Sequence, residues 1–435
     1  MSIFIKENRE YDVIVIGGGP SGVSAAVASA RRGAKTLLIE STYSLGGMAT
    51  SGLVTSFAPF DDGIRRISCG IAEEIVRASN KATFGVDEDD LGWLPISPED
   101  FKMILDKMVT DSGADICFGT VICGADSERG VVKSILGANK NGLCRYRAKA
   151  FVDCTGDADV AAFAGAEFVT GDRNGETQPA TLCFILSGVN DETFRQPIVY
   201  GGNPASPIHK IRALGDKYPL ITDDHLCVDK IAPGVVAFNA GHVPVLDYTS
   251  NADVSKSIML GRRVARQFRD ALAEVDPETF GNAYLVSTAP NLGVRETRRI
   301  VGEYSLTVDD YLARRTFPDE IARNCYFIDI HTTTMHTLHG EEADKERCYY
   351  EPGESHGIPF RCLIPKGYSN LLVAGRSISC ERAVQASIRV MPNCFTTGEA
   401  AGLAAAMAAE RAIVVTELDV SLLRVELKKN GAYFL

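Results

Sequence analysis

The chain has 435 residues, of which 45% are hydrophobic and 23% charged, as is typical of a globular protein with two or three domains. Its formal net charge of −11 argues against a nucleic-acid partner, because phosphate binding needs a concentrated basic surface. The amino terminus has no signal-peptide pattern and no stretch approaches the roughly 20 apolar residues that cross a bilayer, so we expect a cytoplasmic protein without a membrane partner.

A strand–helix–strand pattern opens the chain. Val13 to Ile16 is a short β-branched run that predicts a buried parallel strand. The Ala- and Ser-rich segment from Val23 to Arg32 predicts a helix, and Lys35 to Ile39 predicts a second strand, which ends at Glu40. Between the first strand and the helix stand three glycines with Gly-x-Gly-x-x-Gly spacing: Gly17, Gly19 and Gly22. The whole combination is typical of a dinucleotide-binding unit.

Each part of this unit has a physical task. Gly17 permits the tight turn, Gly19 lets the backbone approach a pyrophosphate, and Gly22 lets the helix pack closely on the strand. The helix N-terminus offers free N–H groups to the diphosphate, and Glu40 is placed to accept hydrogen bonds from ribose hydroxyls. The alternative interpretation is a unit whose glycines serve packing alone.

Later segments extend the pattern to the end of the chain. They are a glycine pair at 46–47, an alternating β-meander over 119–145, strands at Ala150–Cys154 and Leu371–Ala374, and a helix of small residues within 391–410. A helix of this composition can lie very close to another backbone or to a flat ligand.

On the motifs "GGMAT", "TGD" and "VAGR…GEAAG", the sequence resembles the FAD-dependent oxidoreductases with a glutathione-reductase-like FAD domain, over essentially the whole chain. The resemblance implies an α/β fold, in which a Rossmann-like FAD-binding domain has a parallel sheet, a β-meander and an inserted α+β substrate domain. We assign residues 1–166 to the first part of the FAD-binding domain, 167–361 to the inserted domain and 362–435 to the C-terminal part. The implied cofactor is FAD.

The resemblance also implies cofactor contacts, residue by residue. It assigns to the FAD pyrophosphate Gly17, Gly19, Pro20, Ser21 and Gly22. The other assigned residues lie along the rest of the cofactor. They are Glu40 and Ser41 at the adenosine end, Val121 at the adenine, Gly46, Gly47, Met48 and Thr50 on the pyrophosphate and flavin side, Thr155, Gly156 and Asp157 along the border of the cofactor, and Gly375 and Arg376 at the pyrophosphate and ribityl chain. At Arg376 the family more often has an acid. The helix entered at Asn393, Cys394 and Phe395 is expected to point its N-terminus at the flavin pyrimidine, where it would stabilise the negative charge of reduced flavin.

Two arginines are candidates for binding a substrate. Arg295 has the charge and the planar donor geometry to clamp a carboxylate, and a structural ion pair with Glu296 or Glu303 is the alternative. Arg389 precedes the C-terminal helix, where it would bind a substrate anion or a flavin carbonyl.

His331 is the candidate for proton transfer. It follows an apolar, strand-like run from Tyr326 to Ile330 and is expected to act as a general acid or base near pH 7, with a structural histidine at a strand end as the alternative. His336 and His339 follow it, but no Cys or His-Glu-x-x-His pattern supports a metal site, so none is predicted. Cys394 is either a thiol whose pKa the helix N-terminus lowers or a small residue that fits.

The sequence predicts an enzyme that transfers a hydride between flavin and a small, anionic organic substrate. No second Gly-x-Gly-x-x-Gly occurs, so a stable nicotinamide domain is not expected. The alternatives are a flavin monooxygenase that uses NAD(P)H and oxygen, and a non-catalytic flavin-binding subunit. The electron acceptor stays open among oxygen, a quinone, NAD(P) and an electron-transfer protein, and the sequence does not distinguish a monomer from a homo-oligomer.

Overall fold

The structure of the protein is a computed structural model that describes residues 5–7, 9–200, 203–224, 226–245, 247–331 and 349–435. The strands in these ranges are β1 (Ile5–Glu7), β2 (Tyr11–Ile16), β3 (Thr36–Ile39), β4 (Ser56–Phe57), β5 (Leu94–Pro95), β6 (Asp115–Cys117), β7 (Val121–Glu128), β8 (Val131–Asn139), β9 (Gly142–Tyr146), β10 (Ala148–Asp153), β11 (Phe168–Thr170), β12 (Ala180–Thr181), β13 (Phe184–Ser187), β14 (Val228–Ala232), β15 (Val235–Phe238), β16 (His242–Val243), β17 (Tyr284–Thr288), β18 (Arg298–Ile300), β19 (Glu320–Asn324), β20 (His356–Pro359) and β21 (Leu371–Val373).

The helices of the described residues are α1 (Pro20–Arg31), α2 (Ile71–Ala82), α3 (Pro98–Asp111), α4 (Asp159–Ala164), α5 (Gln196–Val199), α6 (Pro207–Ala213), α7 (Asn251–Val275), α8 (Pro277–Phe280), α9 (Val308–Leu312), α10 (Arg382–Ile388), α11 (Met391–Arg411) and α12 (Val420–Lys429). None of these helices has the length and apolar character needed to span a bilayer.

A five-stranded parallel sheet has the order β21-β10-β2-β3-β6. Three of these strands, β2, β3 and β21, are short runs of mostly buried β-branched and leucine side chains, as a sheet covered on both faces requires. Because the strands are parallel, their carboxyl ends meet at one edge, where open α/β sheets bind their ligands. That edge therefore brings together the segments that follow β2, β10 and β21. The predicted α/β fold with its parallel sheet is confirmed.

Helix α11 packs along α1 through positions without side chains. A Cβ added to Gly398 would lie 2.1 Å from the carbonyl oxygen of Ser21, and one added to Gly402 would lie 2.1 Å from that of Ala25. Every residue of α11 from Met391 to Ala409 is buried. The small residues of this helix thus let two helix backbones touch, as the composition predicts.

The predicted β-meander is confirmed as strands β7, β8 and β9. They pair antiparallel in chain order, and β1 joins the outer edge of β9 in parallel. The turns fall at Arg129–Gly130 and at Lys140–Asn141, where the sequence places its turn residues.

A second sheet lies in the middle of the chain, with the antiparallel order β14-β15-β13-β17. Phe184 and Phe238 stack across it with ring centroids 4.9 Å apart, and Phe268 of α7 packs on Phe184. These rings belong to a hydrophobic cluster that is separate from the one around the parallel sheet.

The later part of the predicted inserted domain packs against the parallel sheet. Leu306, Tyr311 and Phe360 belong to the same hydrophobic cluster as Val13 and Val15 of β2. The domain boundaries themselves stay a prediction.

The apolar run from Tyr326 to Ile330 is not a strand, so that expectation is wrong. Strand β19 ends at Asn324, and the carbonyl groups that follow accept hydrogen bonds from side chains. The Tyr326 carbonyl accepts from Ser387 Oγ, and the Asp329 carbonyl accepts from the Arg389 guanidinium. These side-chain bonds take the place of the strand pairing that the apolar run suggests.

Candidate active site

The glycines at the start of α1 are of two kinds. A Cβ on Gly17, where φ is +94°, would lie 2.4 Å from the Cys154 carbonyl, and one on Gly22 would lie 1.7 Å from the Gly17 carbonyl. Both positions are therefore fixed by the turn and by packing. At Gly19 the nearest atom to an added Cβ is Gly47 Cα, 4.0 Å away. Packing alone does not account for Gly19, whereas a diphosphate that approaches the backbone does.

The start of helix α1 is open to such a ligand. Pro20 is its first residue, Gly19 is its N-cap, and among the residues that the structure describes no side chain caps its first N–H groups. Ser21 is buried, and its Oγ lies 2.8 Å from the place of a Cβ on Gly375. The helix start and the end of β21 thus form one wall.

The second glycine loop crosses this helix start. The Gly46 N–H donates to the Gly18 carbonyl at 2.8 Å, and both Gly46 and Gly47 have positive φ, which favours glycine. Thr50 is buried and donates through Oγ1 to a carbonyl of its own loop, at 2.6 Å. Met48 lines the cavity described below. In this loop Met48 therefore reaches the site, while the Thr50 hydroxyl stays within the loop.

The residues assigned to the adenosine end lie together. Glu40 Oε2 accepts from the Gly18 N–H at 2.6 Å, and Ser41 Oγ donates to the other carboxylate oxygen at 3.2 Å. The Thr120 N–H donates to the Glu40 carbonyl at 3.1 Å, which places the exposed Val121 next to this carboxylate. Their contacts with adenosine stay a prediction.

Arg376 joins the turns that follow β10 and β21. The turn after β10 contains Thr155, Gly156 and Asp157. Arg376 Nε donates to the Gly156 carbonyl at 2.8 Å, and its terminal nitrogen donates to Asp157 Oδ1 at 2.7 Å. Gly375, at φ +85°, lets the chain turn just before it. The guanidinium therefore stands where the family more often has an acid, with Asp157 balancing its charge.

Helix α11 begins at Met391, two residues before the predicted entry. Asn393 and Phe395 are both buried, and Phe395 lies in the main hydrophobic cluster. Burial raises the pKa of the Cys394 thiol to about 12. The proposed activated thiol is therefore wrong, because burial outweighs the helix N-terminus, and Cys394 is a small residue that fits.

The candidate substrate site is a cavity of about 780 Å³ between the parallel-sheet edge and the antiparallel sheet. The edge contributes Met48, Arg376 and Met391, and the antiparallel sheet contributes Val228 and Asp229. All three residues predicted to act on a substrate line this one cavity: Arg295, His331 and Arg389.

Arg295 is buried, and its described hydrogen-bond partners are uncharged. Its guanidinium donates to a backbone carbonyl and to Thr181 Oγ1, both at 2.9 Å. Within the described ranges, neither Glu296 nor Glu303 forms an ion pair with it, and Glu296 instead binds two other arginines. The ion-pair alternative is therefore wrong. Burial, together with the nearby charge of Arg389, lowers the pKa of Arg295.

A row of polar contacts runs from Arg389 through Asp329 and His331, which line the cavity, to two further side chains. The Arg389 guanidinium donates to Asp329 Oδ2 at 3.1 Å, and the same oxygen lies 3.4 Å from His331 Nε2. His331 Nδ1 lies 2.9 Å from His242 Nε2, and His242 Nδ1 lies 2.5 Å from Asp223 Oδ1. Five side chains are thus connected in a row.

His331 does not titrate near pH 7, contrary to the sequence-based expectation. Burial, reinforced by the positive charge of Arg295, lowers the pKa of His331 to about 3. Burial opposes ionisation of Asp329, but contacts with His331 and Arg389 hold the pKa of that carboxyl well below its usual range. A neutral imidazole therefore faces the cavity beside a carboxylate.

The segment before β13 organises the site. Gln178 Oε1 accepts from the His331 backbone N–H at 3.1 Å, and Thr181, which binds Arg295, pairs with His242 across β12 and β16. No local sequence pattern predicts this arrangement, because His331 and His242 are 89 positions apart in the chain.

Sequence reasoning missed five functional candidates: Gln178, Asp223, Asp229, His242 and Asp329. Asp329 had one signal, a carboxylate two residues before His331. Asp229 lines the cavity, where burial raises the pKa of its carboxyl to about 7 and Gln196 Nε2 donates to it at 3.4 Å. No local pattern marks that residue.

The histidines weighed as metal ligands lie partly outside the described residues. His336 and His339 belong to the range 332–348, so the structure describes only His331 of the three. In the ranges that it covers, no group of three or more His, Cys, Asp or Glu side chains could hold a metal ion.

Comparison with known proteins gives a family match over most of the chain. The model of the family "FAD dependent oxidoreductase" matches residues 12–427. A digeranylgeranylglycerophospholipid reductase of Thermoplasma volcanium is 28% identical over 174 residues, 38% of this chain and 44% of that protein. A thiamine thiazole synthase of Methanococcus vannielii is 34% identical over 161 residues, 35% of this chain and 58% of that protein. The chain thus spans less than two thirds of either relative.

Two solved structures are similar over most of this chain, at low sequence identity. A geranylgeranyl bacteriochlorophyll reductase-like protein from Thermoplasma acidophilum is 14% identical with a TM-score of 0.46, covering 98% of this chain and 83% of that one. A myxobacterial chondrochloren halogenase is 14% identical with a TM-score of 0.48, and the match covers 97% of this chain and 79% of that one.

Proposed function

The chain belongs to the FAD-dependent oxidoreductase family and its cofactor is FAD, and from this premise we propose that it transfers a hydride between flavin and a small anionic organic substrate. The substrate occupies the cavity lined by Arg295, His331 and Arg389. Bound FAD supplies the two-electron chemistry. The residues of this chain bind the anion, orient it and move a proton.

The observation that carries the proposal is the charge of Arg295. Three arginines line the cavity, and two of them contact a carboxylate: Arg376 contacts Asp157 and Arg389 contacts Asp329. Arg295 is as buried as these, yet the described structure gives it only neutral acceptors. The charge of Asp329 favours the Arg295 cation from a distance, but a buried charge without a contacting counter-charge is costly, so an anionic ligand at this position would stabilise the site.

His331 supports a coupled proton step. Its imidazole is neutral, lies beside the ionised Asp329 and lines the cavity, so it is placed to exchange a proton with a hydroxyl or amine of the substrate. Arg295 would hold the substrate's anionic end and Arg389 would hold Asp329, so that the reacting group lies near the imidazole.

The residues that would hold FAD fit the cofactor on their own geometry. The backbone over Gly19 is open, the described residues give the start of α1 no side-chain cap, and the Glu40 carboxylate binds the neighbouring Gly18 N–H at 2.6 Å. The buried Nε of Arg389 has no hydrogen-bond partner among the described residues, which is unusual for a buried donor and fits a site completed by ligands.

The test begins with the visible spectrum of the purified protein and continues with a panel of small carboxylates bearing a hydroxyl or amine. Without oxygen, a substrate should bleach the flavin band, and the matching keto or imino acid should restore it in the reduced protein. Flavin that no carboxylate bleaches, combined with NADPH oxidation that consumes oxygen, would replace the proposal by a monooxygenase. Flavin that no donor reduces would indicate a binding subunit.

Arg295→Gln tests the anion site directly. Losing a hydrogen bond to a charged group costs about 1.5–3 kcal/mol, so the carboxylate should bind about 10- to 150-fold more weakly, measured by titrating the flavin spectrum. The exposed Arg266→Gln on α7 is the control and should bind as the unmodified protein does. Equal affinity in Arg295→Gln would contradict the role of Arg295.

A further inference from the structure

We propose that Asp229 is a second binding point for the substrate and takes a cationic ammonium group, so that the substrate is a zwitterion with its carboxylate at Arg295 and its ammonium group at Asp229. This inference rests on the proposed function and deepens it, because it names the chemical class of the substrate. It is argued from the charges of the cavity and does not depend on the proton step at His331.

The charged side chains of the cavity wall divide into paired and unpaired ones. Two of its three arginines are held in ion pairs with aspartates. Among the described residues, Arg295 and Asp229 line the same cavity without an ion pair, either with each other or with another side chain, and both bind only neutral groups. A ligand that carries one negative and one positive charge would therefore complete both positions.

Asp229 lies in β14 with its carboxyl at the cavity wall. The residue is 7% exposed, and the two side chains that bind its carboxyl, Ser56 and Gln196, line the cavity as well. Gln196 Nε2 donates to Asp229 Oδ1 at 3.4 Å, whereas hydrogen bonds to a carboxylate are normally about 2.7–2.9 Å long. The amide of Gln196 thus binds this carboxyl only weakly, and a stronger donor from a ligand has room to act.

The neighbouring lysine does not supply the missing positive charge. Lys230 follows Asp229 in the strand, so its side chain points to the opposite face, where its Nζ lies 2.9 Å from Asp191 Oδ1. Burial raises the pKa of the Asp229 carboxyl to about 7, and no lysine or arginine of the described residues lowers it. A carboxyl in this environment is costly to ionise, and a bound ammonium group would favour its ionised form.

Arg295 and Asp229 present their charges to the cavity at separate positions. Cys227, two residues before Asp229, is within reach of both: burial raises the pKa of its thiol to about 12, Asp229 adds to the rise and Arg295 opposes it. Arg295 has no such effect on Asp229 itself. The lining also includes apolar side chains such as Val228 and Phe327, which would cover the hydrocarbon part of a substrate that reaches both charges.

The ammonium group at Asp229 is distinct from the group that reacts. The reacting hydroxyl or amine is proposed to lie near His331, and no described contact joins Asp229 to His331 or to Asp329 beside it. The substrate therefore carries an anionic end at Arg295, a reacting group near His331 and an ammonium group at Asp229.

Titration of the FAD-loaded protein with carboxylates that lack a reacting group tests this inference through the shift of the flavin spectrum. The probes are ω-amino carboxylates from β-alanine to the six-carbon member and, at each length, the matched unsubstituted and ω-hydroxy carboxylates. At one chain length the amino compound should bind about 10- to 150-fold more tightly than both matched compounds, as expected for a hydrogen bond between charged groups, and the advantage should fall at other lengths. No advantage at any length, or an equal advantage at every length, would overturn the inference even if hydride transfer holds.

Asp229→Asn keeps the size of the side chain and removes its charge. It should abolish the advantage of the amino compound and leave the affinity for the matched unsubstituted carboxylate unchanged, which also shows that the cavity is intact. Arg295→Gln should instead weaken all of the probes alike, and its failure to do so would contradict the proposed function. The exposed Glu192→Gln is the control and should bind every probe as the unmodified protein does. If Asp229→Asn retains the advantage, or loses affinity for all probes by the same factor, Asp229 does not bind the ammonium group.

Discussion

A buried carboxyl on the helix that packs against α1 makes the stability of this protein depend on pH. Glu399 of α11 is 2% exposed, and its Oε2 accepts from the Ile71 N–H at the start of α2, at 2.9 Å. Its Oε1 has no hydrogen-bond partner among the described residues. Burial raises the pKa of Glu399 to about 7 from its ordinary 4.5, while the Ile71 bond opposes this.

The direction and size of the effect follow from linkage. The folded protein holds this proton more tightly than the unfolded chain, so the stabilisation is complete below about pH 4.5 and is lost as the pH rises to about 7. The shift of about 2.5 units (7 − 4.5) corresponds to about 3 kcal/mol. Glu399→Gln has no such proton to lose. The free energy of unfolding of Glu399→Gln, taken relative to that of the unmodified protein, should therefore rise by about 2–3 kcal/mol from about pH 5 to about pH 8.5.

Urea unfolding of the FAD-loaded protein at both pH values measures this rise. The fluorescence of Trp93, the single tryptophan, reports the unfolding. Glu417→Gln, at an exposed position shortly after α11, is the control, and its difference from the unmodified protein should stay flat. A flat difference for Glu399→Gln as well would refute the reasoning, because it would mean that the carboxyl ionises as readily in the fold as in the unfolded chain.

Three further predictions concern the FAD-binding residues and the cavity. Gly398→Ala places a Cβ 2.1 Å from the Ser21 carbonyl, so it should destabilise the protein by about 1–3 kcal/mol and weaken FAD binding. Released FAD is measured by its fluorescence. The control Gly92→Ala has open space around it and should have neither effect. Asp229→Asn removes a carboxyl whose pKa burial raises to about 7, so thermal stability should improve at about pH 8.5 more than at about pH 5; an equal change at both would contradict this. Cys394, whose pKa burial raises to about 12, should resist iodoacetamide in the folded protein, as peptide mass spectrometry would show.

The cofactor half of the site could be predicted from sequence because its signals are local. The first strand, the glycines and Glu40 lie within one strand–helix–strand unit, and the parallel pairing of β10 with β2 and β21 brings the other motif turns to the same edge. Glycine spacing and β-branched runs report backbone geometry directly. The separate tasks that the sequence predicts for these glycines agree with the packing, which is close at Gly17 and Gly22 and open at Gly19.

The substrate half could not be predicted to the same depth, because its contacts join distant segments. Arg295, His331 and Arg389 were identified by residue type, yet the partners that set their protonation come from elsewhere in the chain. The run before His331 has the apolar character of a strand, but Ser387 and Arg389 donate hydrogen bonds to its carbonyls and it is irregular. Tertiary hydrogen bonds of this kind override a local pattern.

Arg376 stands where the family more often has an acid, and its charge is balanced by a tertiary contact. A guanidinium at the end of β21 would repel the other cationic groups of the cavity if it stood alone, but Asp157 binds it at 2.7 Å from the neighbouring turn. Arg389 is balanced in the same way by Asp329. Each of the two pairs thus balances a guanidinium of the cavity with a carboxylate, whereas Arg295 forms no ion pair among the described residues. We therefore propose that an anion in the cavity binds at Arg295, and His331 lines the same cavity.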